Sequence, residues 1–270
     1  MKKVAILIAL FVTLNVFDSC DKNDNIILFS VNDDIKLGSQ VSDQIESDPV
    51  QFPILSETEY PEAYTHIRRI TNTILNSGNV KYKDEFAWEV KIIYDDEVLN
   101  AFCTPGGYIY VYTGLIKYLD TEDQLAGVMG HEIGHADLRH SSRQLQTQYG
   151  ISFLLGLAFG ENQSQLETVA GQIAGTVVGL KYSRTYESEA DDNSVKYLKP
   201  TDYACNGASG FFKKIRDEGH CSDNSWAVWL STHPDPCDRI DDIDAKALEE
   251  SCSTDDLNPD SYLAFKNSLP

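Results

Sequence analysis

The chain has 270 residues, 42 of them acidic and 22 basic, for a formal charge of −20. At 42% hydrophobic and 24% charged it has the composition of a folded domain rather than a disordered one, and its acidity argues against a nucleic-acid or anionic-membrane surface, since both select basic patches. No stretch reaches the roughly 18 uncharged apolar residues that a spanning helix needs.

Residues 1–19 read as an export signal. Lys2 and Lys3 form a positive start, and Val4 to Phe17 is an apolar stretch interrupted only by Thr13 and Asn15. Phe17-Asp18-Ser19-Cys20 follows. A small residue before a cysteine, just past the apolar stretch, resembles a bacterial lipoprotein signal, whose cysteine becomes the lipidated first residue; the alternative is simple secretion. Residues 20–55 then read as an acidic flexible tether. Between 21 and 50 there are seven acids against Lys22 and Lys36, with Ser and Asn frequent. Residues 56–270 are left for the folded domain.

Pro61 to Asn76 repeats apolar residues at helical spacing (Ala63, Ile67, Ile70, Ile74, Leu75), and Gly78 stops it. Trp88 to Tyr94 is strand-like. Ala101-Phe102 and Tyr108 to Tyr112 are two more short strands, with Pro105-Gly106-Gly107 as the turn between them. Thr121 to Gln124 is a capping box that opens a helix lined by Leu125, Val128, Met129, Ile133 and Ala136. Ile151–Gly160 and Val169–Leu180 are uncharged runs, the second with Gly171, Gly175 and Gly179 four apart, a stripe that permits close helix packing. Helical pattern resumes over 183–198, near 209–217 and over 238–250. The expected fold is one α+β domain, mostly helical, with a small antiparallel sheet.

Six cysteines occur, at 20, 103, 205, 221, 237 and 252. With Cys20 lipidated, the four after residue 200 suit disulfides in an exported domain. Sequence allows three pairings; the local pairs Cys205–Cys221 and Cys237–Cys252 are the favoured ones. No C-x-x-C exists, which disfavours a structural zinc knuckle. Cys103, in an apolar strand, reads as a buried free thiol.

His131-Glu132-Ile133-Gly134-His135 is H-E-x-x-H. On a helix, residues four apart lie only about 40° apart round the axis, so both imidazoles can share one metal, and imidazole nitrogen suits zinc. Glu132, one residue on, can address a water held by that metal without ligating it, the placement of a general base. A metzincin would continue with Gly and His where this chain has Leu138 and Ser141. His140, about 900° past His131, falls on the opposite side of the helix and reads as a surface residue at its end. The third ligand should come from a second helix, in Glu187-Ser-Glu-Ala-Asp191. Glu187 and Asp191 share a face: Glu187 can bind the metal, and Asp191 can accept the other ring N–H of a ligating histidine. Glu189, about 200° from Glu187, should point elsewhere.

Four blocks, in order, carry a resemblance: Asn100 to Gly114, the His131 motif, Tyr182 to Asp191, and Ser231-Thr-His-Pro234 followed by Arg239-Ile240. Over roughly residues 60–245 the chain resembles the HtpX/Oma/CAAX-prenyl-protease-like family of zinc metalloendopeptidases, within the gluzincins, and by size and signal its small bacterial lipoprotein members. The resemblance implies a zincin-type domain with its small sheet beside the H-E-x-x-H helix and one zinc ion per chain, on His131, His135 and Glu187. It implies that His233 aids the scissile carbonyl as an electrophile and that Arg239 supports the active centre. It places a polypeptide substrate along an edge strand near Tyr108–Tyr112, held by its backbone. Cys103, and Pro236-Cys237 before the arginine, depart from the family pattern. The implied activity is endopeptidase cleavage of unfolded or damaged envelope proteins, on a domain anchored by Cys20. A non-catalytic zinc-binding chaperone or scaffold is the rival.

Overall fold

A computed structural model describes residues 27–150, 181–221, 232–234, 236–256 and 259–270, with isolated positions between 156 and 179. The expected export signal, Cys20 and Ser231 lie outside the described residues, as does most of the two uncharged runs.

The first element lies where a tether was expected. Residues Val31–Ser47 form helix α1. Ser30 caps it in a full capping box: its hydroxyl accepts from Asp33 N–H, and the Asp33 carboxylate accepts from Ser30 N–H. Asp33 and Asp34 sit in the first turn, where the helix dipole favours acids. Leu37, Val41 and Ile45 recur at four-residue spacing and are wholly buried, each stabilising the fold by about 1.5–3 kcal/mol. The tether expectation fails over these residues because a composition rich in acids masks a narrow apolar stripe, and two of those acids, Asp33 and Asp34, are themselves buried.

Helix α2 is Pro61–Leu75, and the strands are β1 Glu89–Ile93, β2 Ala101–Thr104 and β3 Tyr108–Tyr112. The sheet runs β1-β3-β2, with β1 parallel and β2 antiparallel to β3. It is mixed, not antiparallel as expected. The Pro105–Gly107 turn sets β2 and β3 antiparallel, and β3 then inserts between β2 and β1. Gly106 and Gly107 take φ of 77° and 87°, a region that suits glycine. Tyr108–Tyr112 is therefore the central strand, bonded on both sides, which corrects the expectation that it forms an edge open to substrate. The outer strands are β1 and β2.

Alternation along β3 sorts its side chains. Tyr108, Tyr110 and Tyr112 join Ile93 and Phe102 under α1, where Tyr110 meets the Ser42 hydroxyl at 2.8 Å. Ile109 and Val111 join Val90, Ile92, Ala101 and Cys103 on the opposite face, against α2 and α4.

Helices α3 Thr113–Tyr118, α4 Glu122–Asp137, α5 His140–Tyr149, α6 Arg184–Leu198, α7 Gly207–Asp217, α8 Arg239–Glu250 and α9 Pro259–Asn267 complete the described elements. At the start of α4 only half of the expected capping box forms. Thr121 accepts from Gln124 N–H, while the Gln124 side chain accepts from Asp120 N–H. Glycines let α4 lie close to its neighbours. A Cβ at Gly127 would stand 2.0 Å from Ala208 N, and one at Gly130 would stand 2.6 Å from the Ser194 hydroxyl. Among the described residues no helix is long and apolar enough to cross a membrane.

The disulfides are Cys205–Cys252 and Cys221–Cys237, not the two local pairs. Cys205 and Cys237 precede α7 and α8, and Cys221 and Cys252 follow them. The two helices pack against each other and are stapled at both ends, start to finish, so the bridges are nested.

Two stability outcomes follow from this packing. Gly127→Ala should lower the unfolding free energy measured by denaturant titration by about 1–3 kcal/mol, since its methyl group meets backbone that cannot turn aside. Replacing Cys205 and Cys252 together with alanine should cost about 4 kcal/mol, against about 3 for Cys221 and Cys237, because the first pair closes the longer loop; equal midpoints for the two double variants would contradict that ordering.

Candidate active site

Helix α4 places His131, Glu132 and His135 in the interior, all at most 1% exposed. The next helix in space, α6, brings Glu187 and Asp191 up to them. His233 arrives from the segment that leads into α8, and Arg239 is the first residue of that helix. Every site residue expected from sequence is thus in one buried cluster.

His131, His135, Glu187 and His233 each turn one ligand atom inward, all within 4.8 Å of one another. His131 Nε2 lies 2.9 Å from His135 Nε2, 3.2 Å from His233 Nδ1 and 3.6 Å from Glu187 Oε2. His135 Nε2 lies 3.4 Å from Glu187 Oε1, and His233 Nδ1 lies 3.1 Å from the same oxygen. Donors on a tetrahedral zinc ion, at bonds of about 2.0–2.1 Å, stand about 3.3 Å apart. The observed separations bracket that value. Burial pushes the His131 and His135 imidazoles below their usual pKa, so both are neutral and offer lone pairs. Opposed lone pairs this close are unfavourable until a cation lies between them. The residues fit zinc.

Charge supports the same fit. Three buried carboxylates, Glu132, Glu187 and Asp191, face one buried guanidinium, Arg239, and a divalent ion makes up the difference. Arg239 donates from Nε and Nη2 to the two oxygens of Asp191, both at 2.6 Å, and from Nη1 to Glu187 Oε2. Its guanidinium also rests over the Phe212 ring at 4.7 Å. Arg239 therefore acts through the two carboxylates. Burial alone would raise the Glu187 pKa, but His233 and Arg239 beside it hold its carboxyl well below the usual range. Asp191 Oδ1 stands 2.8 Å from His131 Nδ1, the contact the shared helical face anticipates.

His233 sits differently from expectation. Its Nδ1 is among the inward-turned donors, while its Nε2 is 3.4 Å from Glu132 Oε1. It thus touches both the metal-binding set and the general-base position.

Several neighbours escaped the sequence reading. His140 is wholly buried rather than a surface residue. The helix count from His131 does not reach it, because α4 ends at Asp137 and Arg139 turns the chain with φ of 61°. Its Nδ1 lies 2.9 Å from His135 Nδ1, and its Nε2 is 3.1 Å from Glu189 Oε2. Glu189 does point away from the metal cluster, but toward His140. The Tyr182 ring stacks on His135 at 3.9 Å, and its hydroxyl meets Ser141 at 2.8 Å. No spacing rule finds Tyr182 or Ser141, since both lie outside the helices that carry the ligands or past their ends. Cys103 is a buried free thiol 3.7 Å from the Ser141 hydroxyl, and burial raises its pKa well above the usual value, so it stays protonated.

The sequence is similar to those of known proteins. Residues 61–247 match peptidase family M48. The chain is 31% identical to the beta-barrel assembly-enhancing protease of Escherichia coli K12, over 66% of this chain and 38% of that protein. It is 31% identical to the E. coli metalloprotease YcaL, over 58% of this chain and 59% of that one. To the human mitochondrial metalloendopeptidase OMA1 it is 27% identical, over 81% of this chain and 48% of the other. The chain thus spans about two fifths to three fifths of the length of these relatives. With the match covering well over half of its residues and a cluster of donors that fits zinc in place, the chain belongs to peptidase family M48.

Proposed function

We propose that the protein is an endopeptidase that hydrolyses peptide bonds in unfolded or damaged polypeptides of a bacterial cell envelope. The observation that carries the reading is Glu132. It is fully buried beside the donor cluster, one residue from His131, and it ligates nothing in that set. His131, His135 and Glu187 would hold the zinc, which when bound would supply Lewis acidity to a carbonyl and lower the pKa of water. Glu132 takes the proton of the attacking water and returns it to the leaving amine. His233, beside Glu132, donates to the oxyanion as it develops. A catalytic zinc site keeps one position for water or substrate, so His131, His135 and Glu187 would be the ligands and His233 would serve the reaction beside Glu132. Arg239 and Asp191 keep Glu187 and His131 in place. A peptide strand adds to β2, the outer strand packed beside α4, because β3 has no free side.

The reading of the cell envelope rests on residues 1–20 and on the E. coli relative, whose name refers to β-barrel assembly. Cys20 carries lipid, and the acyl chains supply membrane affinity of about 0.8 kcal/mol per buried CH₂, while the acidic surface is repelled by anionic lipid.

Digestion of casein by the purified protein, with and without chelator, tests the activity. The protein should hold one zinc per chain, and alanine at His131, His135 or Glu187 should remove most of it. Glu132→Gln should keep zinc and fold yet lose proteolysis, because an amide takes no proton; normal cleavage by this variant would overturn Glu132 as the general base, whereas an unaltered, zinc-loaded protein that leaves casein intact would make the non-catalytic scaffold the reading. His233→Phe should keep zinc on the other three ligands and lose about 10²–10³ in turnover. For the anchor, Cys20→Ser should release the protein from membranes, and intact mass should show acyl chains on Cys20 of the unaltered protein. An N-terminus at residue 20 without acyl mass would mean simple secretion.

A further inference from the structure

The two metal-facing histidines of α4 are held in different ways. His131 Nδ1 meets a carboxylate directly, Asp191, at 2.8 Å. His135 Nδ1 meets a second imidazole, His140 Nδ1, at 2.9 Å, and only beyond it does Glu189 follow, 3.1 Å from His140 Nε2. We propose that His140 and Glu189 are positioning residues that lock His135 in its Nδ1–H tautomer, with the Nε2 lone pair turned to the metal. The proposal rests on the zinc reading above.

The proton positions follow one from the next. An ionised carboxylate only accepts, so Glu189 requires the proton of His140 to be on Nε2. A neutral imidazole carries one such proton, so His140 Nδ1 is an acceptor. The short contact between the two Nδ1 atoms then needs its proton from His135. That leaves His135 Nε2 bare, facing Glu187 and His131. The reverse order would put a proton on His135 Nε2, aimed at His131 Nε2 only 2.9 Å away, and would shut out a metal.

Both rings are also held in plane. Tyr182 stacks on His135 at 3.9 Å and 16°, and Tyr186 stacks on His140 at 4.2 Å and 10°. Helix α6 supplies Tyr186 and Glu189 from one side while Glu187, between them, reaches the metal-binding set. On the other side the chain turns at Arg139, whose guanidinium donates to the buried Asp34 of α1 and to the Phe29 carbonyl. That clasp holds the residue just before His140.

The test is zinc affinity, measured by competition with a chromophoric chelator, together with ¹⁵N NMR of histidine-labelled, zinc-loaded protein. His140→Phe keeps a ring against Tyr186 but removes the acceptor, and should weaken zinc binding by about 10–100-fold. His140→Asn, which restores an acceptor near the Nδ1 position, should recover most of that loss. Glu189→Gln can still accept from His140 Nε2–H and should stay within a few-fold of the unaltered protein, whereas Glu189→Lys, which only donates, should approach His140→Phe. A loss of mere packing would not separate the Gln and Lys variants. Should His140→Phe fail to fold, the NMR decides: a proton on His140 Nε2 with Nδ1 bare supports the relay, and a proton on His140 Nδ1 overturns it. Zinc affinity of folded His140→Phe within about twofold of the unaltered protein also overturns the relay while leaving the zinc site standing; an unaltered protein that binds no zinc would instead overturn the site itself.

Discussion

Gly130 and Gly134 face Ser194 and Ala190 across the contact between α4 and α6, and a Cβ at either glycine would press on that neighbour. This close approach of two backbones sets the distance between His131 and His135 on one helix and Glu187 on the other. Any larger residue would push α6 outward and carry the third ligand with it. The Ser194 hydroxyl uses the same proximity, donating to the Gly127 carbonyl at 2.9 Å. One of these glycines lies inside the H-E-x-x-H motif, so the motif encodes the packing as well as the ligands.

The second constraint is charge. Burying Glu132, Glu187 and Asp191 is costly unless each is compensated. Arg239 answers two of the carboxylates at once, and its planar fork suits that task better than a lysine. The fixed carboxylates then serve chemistry, since Asp191 orients His131 and Glu187 offers its oxygens inward. The same buried pairs that cost stability therefore pre-set the geometry of the donor cluster.

A third feature joins the N-terminal side of the chain to this centre. Helix α1 covers the tyrosine face of the sheet, and its Asp34 pairs with Arg139 at the turn after α4. Burial raises the Asp34 pKa against the pull of Arg139, the sign of a pair held by its surroundings. Residues 31–47, expected to form a tether, are thus packed into the folded domain rather than forming a spacer in front of it.

What the sequence by itself determined is what short-range periodicity can carry. Four-residue spacing put His131 with His135 and Glu187 with Asp191, two-residue alternation drew β1 to β3, and Pro-Gly-Gly marked the turn, because each depends only on local backbone geometry. The family blocks added His233 and Arg239. Tertiary structure decided the rest. Whether β3 lies at the centre or the edge depends on which strands reach it, and the disulfide pairing depends on α7 and α8 packing side by side, the start of each against the finish of the other. Helix α1 becomes a helix because the tyrosine face needs a cover, and an acid count cannot register that need. His140 sits past a left-handed residue, so helical angles counted from His131 lose their meaning there, and only the folded chain shows it against His135.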